Sequence, residues 1–163
     1  MRPNIHKLAT EIGAILKERK LVLTCTESCT GGMVAAAITE IAGSSAYFDR
    51  GFIVYSNSAK HEMLGVDLNL IGEYGAVSEQ VAKAMAEGAL KRSRADISIA
   101  VTGIAGPTGG TEIKPVGTVC FAVAGKNITT QAKTQYFFGD RASVREQATE
   151  YALKFFIDIE KRA

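Results

Sequence analysis

The sequence predicts an α/β fold, a three-layer αβα domain with a mixed, mainly parallel sheet flanked by helices. Short apolar runs alternate with segments of helical period through the first two thirds of the chain. Two strand-like runs then follow each other with no helix between them, and a long amphipathic segment closes the chain. The 163 residues suit a single domain over 1–163, long enough to bury roughly 70% of the unfolded chain's surface. With 47% hydrophobic and 22% charged residues, disordered and fibrous classes are excluded.

Ile5, Leu8, Ile12, Ile15 and Leu16 share one face and make residues 5–19 a helix. Leu21 to Thr24 is a short buried strand. Met33, Val34, Ala37, Ile38 and Ile41 resume the helical period, and Gly51 to Tyr55 is a second strand. A helix starting near Ser58 carries Lys60, Met63 and Leu64. Ser78 is the expected N-cap of a helix running to about Lys91, with Glu79 favourable in its first turn. Strands follow at 97–101 and 117–124, then one at 129–138 whose partial polar alternation marks an edge. Asp140 caps the last helix, where Val144, Ala148, Tyr151, Ala152, Phe155 and Ile159 form a wide apolar stripe.

Nineteen Lys plus Arg against seventeen Asp plus Glu leave a net charge of +2, so no general attraction to nucleic acid is expected. No run approaches the ~18 apolar residues that span a bilayer. No apolar stretch follows the basic residues of the N-terminus, and three Cys are an odd number, which together predict free thiols and a cytoplasmic protein.

Three Gly-rich turns, at 27–32, 43–45 and 102–110, are expected to follow strands, where open α/β sheets bind ligands. The turn Glu27-Ser28-Cys29-Thr30-Gly31-Gly32 leads from a strand into a helix. It can expose a nucleophile and offer free N–H groups to an oxyanion or phosphate, or it can be a turn capped by Thr30 or Ser28. Ser28 and Cys29 are both candidate nucleophiles. A Cys nucleophile wants a His, and the chain has only His6 and His61. A Ser-Lys dyad needs a buried, neutral lysine, and Lys60 lies just past Tyr55-Ser56-Asn57. On local grounds alone a lone Lys60 is most commonly a solvated helix residue, and Tyr55 by default a half-buried packing residue. The Cys25, Cys29, Cys120 spacing fits no standard zinc module, so no metal is expected. Arg141 and Arg145 share a helix face, either as surface charges or as a phosphate clamp beside a Gly-rich loop, and Lys114 could frame the same pocket.

Taken together, Thr26-Glu27-Ser28-Cys29-Thr30-Gly31-Gly32, Gly43-Ser44-Ser45, Tyr55-Ser56-Asn57 with Lys60, Gly75-Ala76-Val77-Ser78, Thr102 through Gly110, Lys114-Pro115-Val116-Gly117-Thr118 and Gly139-Asp140-Arg141 occur in order. This set closely resembles the CinA C-terminal domain family, over about residues 8–156. The resemblance implies hydrolysis of the carboxamide of nicotinamide mononucleotide to nicotinate mononucleotide and ammonia, with no metal or cofactor. It also implies Ser28 as nucleophile, Lys60 as general base and Tyr55 as a third member near the dyad. Thr30, Gly31, Gly32, Thr102, Gly103, Gly106, Arg141 and Arg145 would hold the nucleotide, and the N-terminus of the helix after Thr30 would stabilise the oxyanion. A stand-alone type without the N-terminal domain of larger members is expected, as is a homodimer or higher homo-oligomer. The alternative is a non-catalytic nucleotide sensor. One position departs from the family pattern: Thr26 stands where Ala is usual, with an expected effect on packing behind the turn.

Overall fold

The computed structural model describes residues 2–163. The elements are α1 (Pro3–Arg19), β1 (Leu23–Glu27), α2 (Met33–Thr39), a 3-10 turn (Ser44–Ala46), β2 (Phe48–Ile53), α3 (Asn57–Leu64), α4 (Leu68–Tyr74), α5 (Glu79–Lys91), β3 (Ile97–Gly103), β4 (Thr118–Gly125), β5 (Ile128–Tyr136) and α6 (Arg141–Arg162). The sheet order is β2-β1-β3-β4-β5. β1 pairs parallel with β2 and β3, while β4 pairs antiparallel with β3 and β5. Four strands therefore point one way and β4 alone runs against them, as expected of a mixed, mainly parallel sheet.

Period-2 alternation sorts the strand residues between two helical layers. Leu23, Cys25, Ile97, Ile99, Val101, Phe121 and Val123 pack with α1, α2 and α6. Ala100, Cys120, Ala122 and Ala124 face the other layer, with Val81, Ala82, Met85, Ala86 and Ala89 of α5. Small residues on both sides let α5 lie close to the sheet. On the larger-residue face, complete burial of a side chain such as Ile12 contributes roughly 1.5–3 kcal/mol.

Ser78 and Asp140 cap α5 and α6 as expected, accepting from Val81 and Ser143 N–H. The cap of α3 is Ser56, two residues before the predicted start, and its Oγ accepts from Ala59 N–H at 3.0 Å. α4 was not expected: seven residues containing Gly72 carry no legible stripe, though Asp67 caps it and Gly75 ends it.

Two strand boundaries move. β1 continues through Thr24, Thr26 and Glu27, polar residues that are nonetheless fully buried. β2 runs over Phe48–Ile53 rather than 51–55, because pairing with β1 from Leu23↔Phe48 to Glu27↔Ile53 sets its register. The turn at 43–45 follows α2, not a strand, and leads into β2. It therefore lies at the opposite end of the sheet from the turn after β1, and it does not belong to a ligand site there.

Candidate active site

α2 leaves the carboxyl end of β1 towards one helical layer, whereas α3 leaves that of β2 towards the other. The adjacent strand ends therefore open into a crevice, the usual ligand position in open α/β sheets. A cavity of about 220 Å³ occupies it. Ser28 and Cys29 from the end of β1 line it, with Tyr55, Asn57 and Lys60 from the end of β2 and α3. Thr102 and Gly103 of β3 and Arg141 of α6 complete the polar wall. Larger clefts elsewhere lack this convergence; one of about 390 Å³ contains Lys114, whose Nζ donates to the Tyr74 carbonyl at 2.6 Å. Lys114 does not frame the Ser28 cavity.

Lys60 is 1% exposed, although it sits on a short helix whose other polar residues are mostly solvated. Its Nζ lies 3.1 Å from Ser28 Oγ, 3.0 Å from the Val54 carbonyl and 3.1 Å from the Tyr55 carbonyl. Those two carbonyls are free because β2 ends at Ile53. Burial pushes the lysine pKa below its ordinary value, and no carboxylate pairs with it among the described residues. Nζ donates to both carbonyls and to Ser28 Oγ, which in turn faces the Tyr55 carbonyl at 3.4 Å; the same geometry accommodates the amine once it has lost a proton. Two N–H bonds then serve the two carbonyls, and the nitrogen lone pair is left for the Ser28 hydroxyl proton.

Ser28 is anchored by its N–H to the Val101 carbonyl at 2.9 Å. The thiol of Cys29 is pushed up to about 12, first by burial and next by the nearby Glu27 carboxylate. His61 directly follows Lys60 on α3 but has its Nδ1 2.9 Å from the Val66 carbonyl, and His6 lies near Glu40. Neither histidine lines the cavity.

The turn after Ser28 is held from two sides. Glu27 accepts from Thr30 Oγ at 2.5 Å and from the N–H groups of Val34 at 2.9 Å and Ala35 at 3.1 Å. The N–H groups of Val34 and Ala35 in the first turn of α2 are thereby already taken. Gly31 and Met33 N–H also bond within the turn, to the Ser28 and Thr30 carbonyls. The N–H groups of Cys29, Thr30 and Gly32 have no such partner among the described residues. From the other side, Arg145 donates through Nε to the Cys29 carbonyl at 3.0 Å and through Nη2 to the Thr30 carbonyl at 3.4 Å.

The expected nucleotide-holding residues therefore divide. Thr102, Gly103 and Arg141 line the cavity; Thr30, Gly31, Gly32, Gly106 and Arg145 are not among its lining residues. The Thr30 side chain is fully buried against Glu27, and a side chain in place of Gly31 would meet Arg145 at 3.3 Å. Thr102 Oγ1 is committed to the Ala76 carbonyl at 2.9 Å. Gly103 has a packing reason to be glycine, since a Cβ there would lie 2.7 Å from Val119 and 3.0 Å from Cys29 Sγ. Arg141 donates to the Gly106 carbonyl at 2.8 Å and to the Tyr55 hydroxyl at 3.1 Å. Tyr55 is 61% exposed, so its backbone carbonyl, not its ring, meets Ser28 and Lys60. The residue missed from the sequence is Asn57. It lines the cavity next to the cap Ser56, and its motif was visible without indicating that its side chain is uncommitted.

The model of the CinA C-terminal domain matches residues 5–159. The chain belongs to the CinA C-terminal domain family. Among CinA relatives, it is 55% identical over 150 residues to the nicotinamide-nucleotide amidohydrolase PncC of Enterobacter agglomerans, covering 92% of each chain. It is 54% identical over 153 residues to the PncC amidohydrolase of Escherichia coli K12, covering 92% of this chain and 91% of that one. The crystal structure of a competence/damage inducible protein from Agrobacterium tumefaciens superposes with a TM-score of 0.94 at 45% identity, covering 97% and 96% of the two chains.

Proposed function

We propose that the chain hydrolyses the carboxamide of nicotinamide mononucleotide to nicotinate mononucleotide and ammonia, as a Ser-Lys amidohydrolase in pyridine nucleotide salvage. The observation that carries this reading is the buried Lys60 Nζ at 3.1 Å from Ser28 Oγ, without a carboxylate partner among the described residues. The names of the similar amidohydrolases supply the substrate.

Ser28 Oγ attacks the carboxamide carbon while its proton passes to the Lys60 lone pair. The oxyanion is received at the Cys29 N–H, which has no backbone partner among the described residues and belongs to a residue that lines the cavity. Lys60 then returns the proton to the departing nitrogen, ammonia leaves, and an ester on Ser28 remains. Water attacks that ester as Lys60 takes its proton; the proton goes back to Ser28 Oγ as the acid is released. The pyridinium charge of the substrate, close to Lys60, helps keep the amine deprotonated by like-charge repulsion. Arg141 holds the single phosphate, and Asn57 offers an uncommitted amide to the ribose.

Cys29 is a poor rival. Its thiol is almost wholly protonated near neutral pH, and no histidine lines the cavity to activate it. The deciding experiment is ammonia release from nicotinamide mononucleotide by wild type and Ser28→Ala with a chelator present. Release by wild type alone is expected. Equal turnover by Ser28→Ala would remove the nucleophile assignment, and tight binding without release would make the chain a sensor.

A further inference from the structure

Glu27 is the last residue of β1, immediately before Ser28, and it is fully buried. Its contacts are donors without exception. Oε1 takes the Thr30 hydroxyl and the Val34 N–H; Oε2 takes the Ala35 N–H and lies 3.8 Å from Cys25 Sγ. A carboxylate offers about four acceptor sites, so the ionised group is used to capacity. No Lys or Arg pairs with it among the described residues. A buried charge held only by neutral donors is costly, and capping α2 does not require one. The cap position itself is Gly32 at φ 109, a conformation that residues with a side chain rarely adopt, so no side chain caps α2 from there. Here the cap reaches instead from the strand on the far side of the turn. One side chain thus ties the end of β1 to the first turn of α2, across the five residues 28–32.

We infer that Glu27 is a positioning residue for the nucleophile: by joining β1 to α2 it holds the 28–32 turn so that Ser28 Oγ stays on Lys60 Nζ. The inference rests on the proposed role of Ser28 and goes beyond it. The same carboxylate also disfavours a thiolate on Cys29, the second potential nucleophile in the cavity.

Glu27→Gln keeps the size but turns one acceptor into an NH2 group that faces N–H, O–H or S–H donors. The variant and wild type are compared in ammonia release from nicotinamide mononucleotide and in phosphonylation of Ser28 by a fluorophosphonate, followed by intact mass. The expected result is a fall in kcat of about 10–100-fold, the scale of a small misplacement of a reacting group. KM stays within about threefold, phosphonylation slows by a similar factor, and the circular dichroism is that of wild type. A folded Glu27→Gln protein with wild-type kcat and phosphonylation, or with a loss confined to KM, would overturn the inference. If Glu27→Gln does not fold, Thr30→Val removes one donor to the same carboxylate: a smaller loss of kcat supports the inference and wild-type rates overturn it. A wild type that is phosphonylated on Ser28 yet releases no ammonia would refute the substrate alone, and the phosphonylation comparison would still decide the role of Glu27. A wild-type Ser28 inert to the reagent overturns both.

Discussion

Replacing Lys60 separates its chemical role from its structural one. Lys60→Met keeps the buried stem but removes the only group among the described residues within reach of the Ser28 proton other than the Tyr55 carbonyl. Loss of a positioned general base costs about 10²–10⁴-fold in rate, or about 2.7–5.5 kcal/mol of barrier. The folded state loses less. Two carbonyls, of Val54 and Tyr55, lose their donor at roughly 1 kcal/mol each, and this is offset because an amine is no longer buried.

Since the folded pKa of Lys60 lies below that of the unfolded chain, its burial penalty is full below the folded pKa. The penalty fades as pH rises through that value towards ~10.4, the ordinary lysine pKa. Wild type should therefore gain stability relative to Lys60→Met across that alkaline window, read by thermal melts at several pH values. Activity should climb with pH along one rising limb whose midpoint lies below ~10.4. Lys60→Arg should be inactive throughout, because a guanidinium keeps its proton. Ammonia release between about pH 6 and 10 measures both. Lys60→Met within tenfold of wild-type kcat, or Lys60→Arg above a tenth of wild-type activity, would refute the general-base reasoning.

Arg141→Ala should raise KM about 10–100-fold, the value of a charge-assisted contact, and should narrow the preference for nicotinamide mononucleotide over its phosphate-free riboside. An unchanged preference in competition assays would place the phosphate elsewhere. Cys29→Ala should retain turnover, and iodoacetamide should leave wild type active near neutral pH, with alkylation accelerating only as pH approaches about 12. Substrate-protected inactivation at pH 7 would contradict this. Thr26→Val should stabilise the fold by about 1 kcal/mol, because the buried Thr26 hydroxyl has no hydrogen-bond partner among the described residues and valine keeps its shape. The check is a rise in Tm of roughly 2–4 °C; a fall would mean that the hydroxyl is satisfied in solution.

The elements with strong local signals were legible in the chain itself. The stripe of α1, the Ser78 and Asp140 caps, the apolar runs of β3 and β4 and the alternation of β5 each depend on residues close in sequence, so periodicity and cap chemistry were enough. The motif turn around Ser28 was legible for the same reason. The boundaries of β1 and β2 were not, because pairing across the sheet, not local propensity, sets where a strand ends.

That register decides the site. Ending β2 at Ile53 leaves the Val54 and Tyr55 carbonyls to receive Lys60, and only the crossing of α2 and α3 to opposite layers brings Lys60 to Ser28, 32 positions away. The two arginines, equivalent on a helix face in the sequence, are separated by what surrounds each. Arg141 reaches the cavity wall beside Tyr55, whereas Arg145 is spent on the Cys29 and Thr30 carbonyls and does not line the cavity. The chain alone determined which groups could do chemistry, since that follows from residue type and local spacing. Burial and long-range register determined which of them meet, and how neutral a lysine can be, since desolvation exists only once distant segments have packed around it.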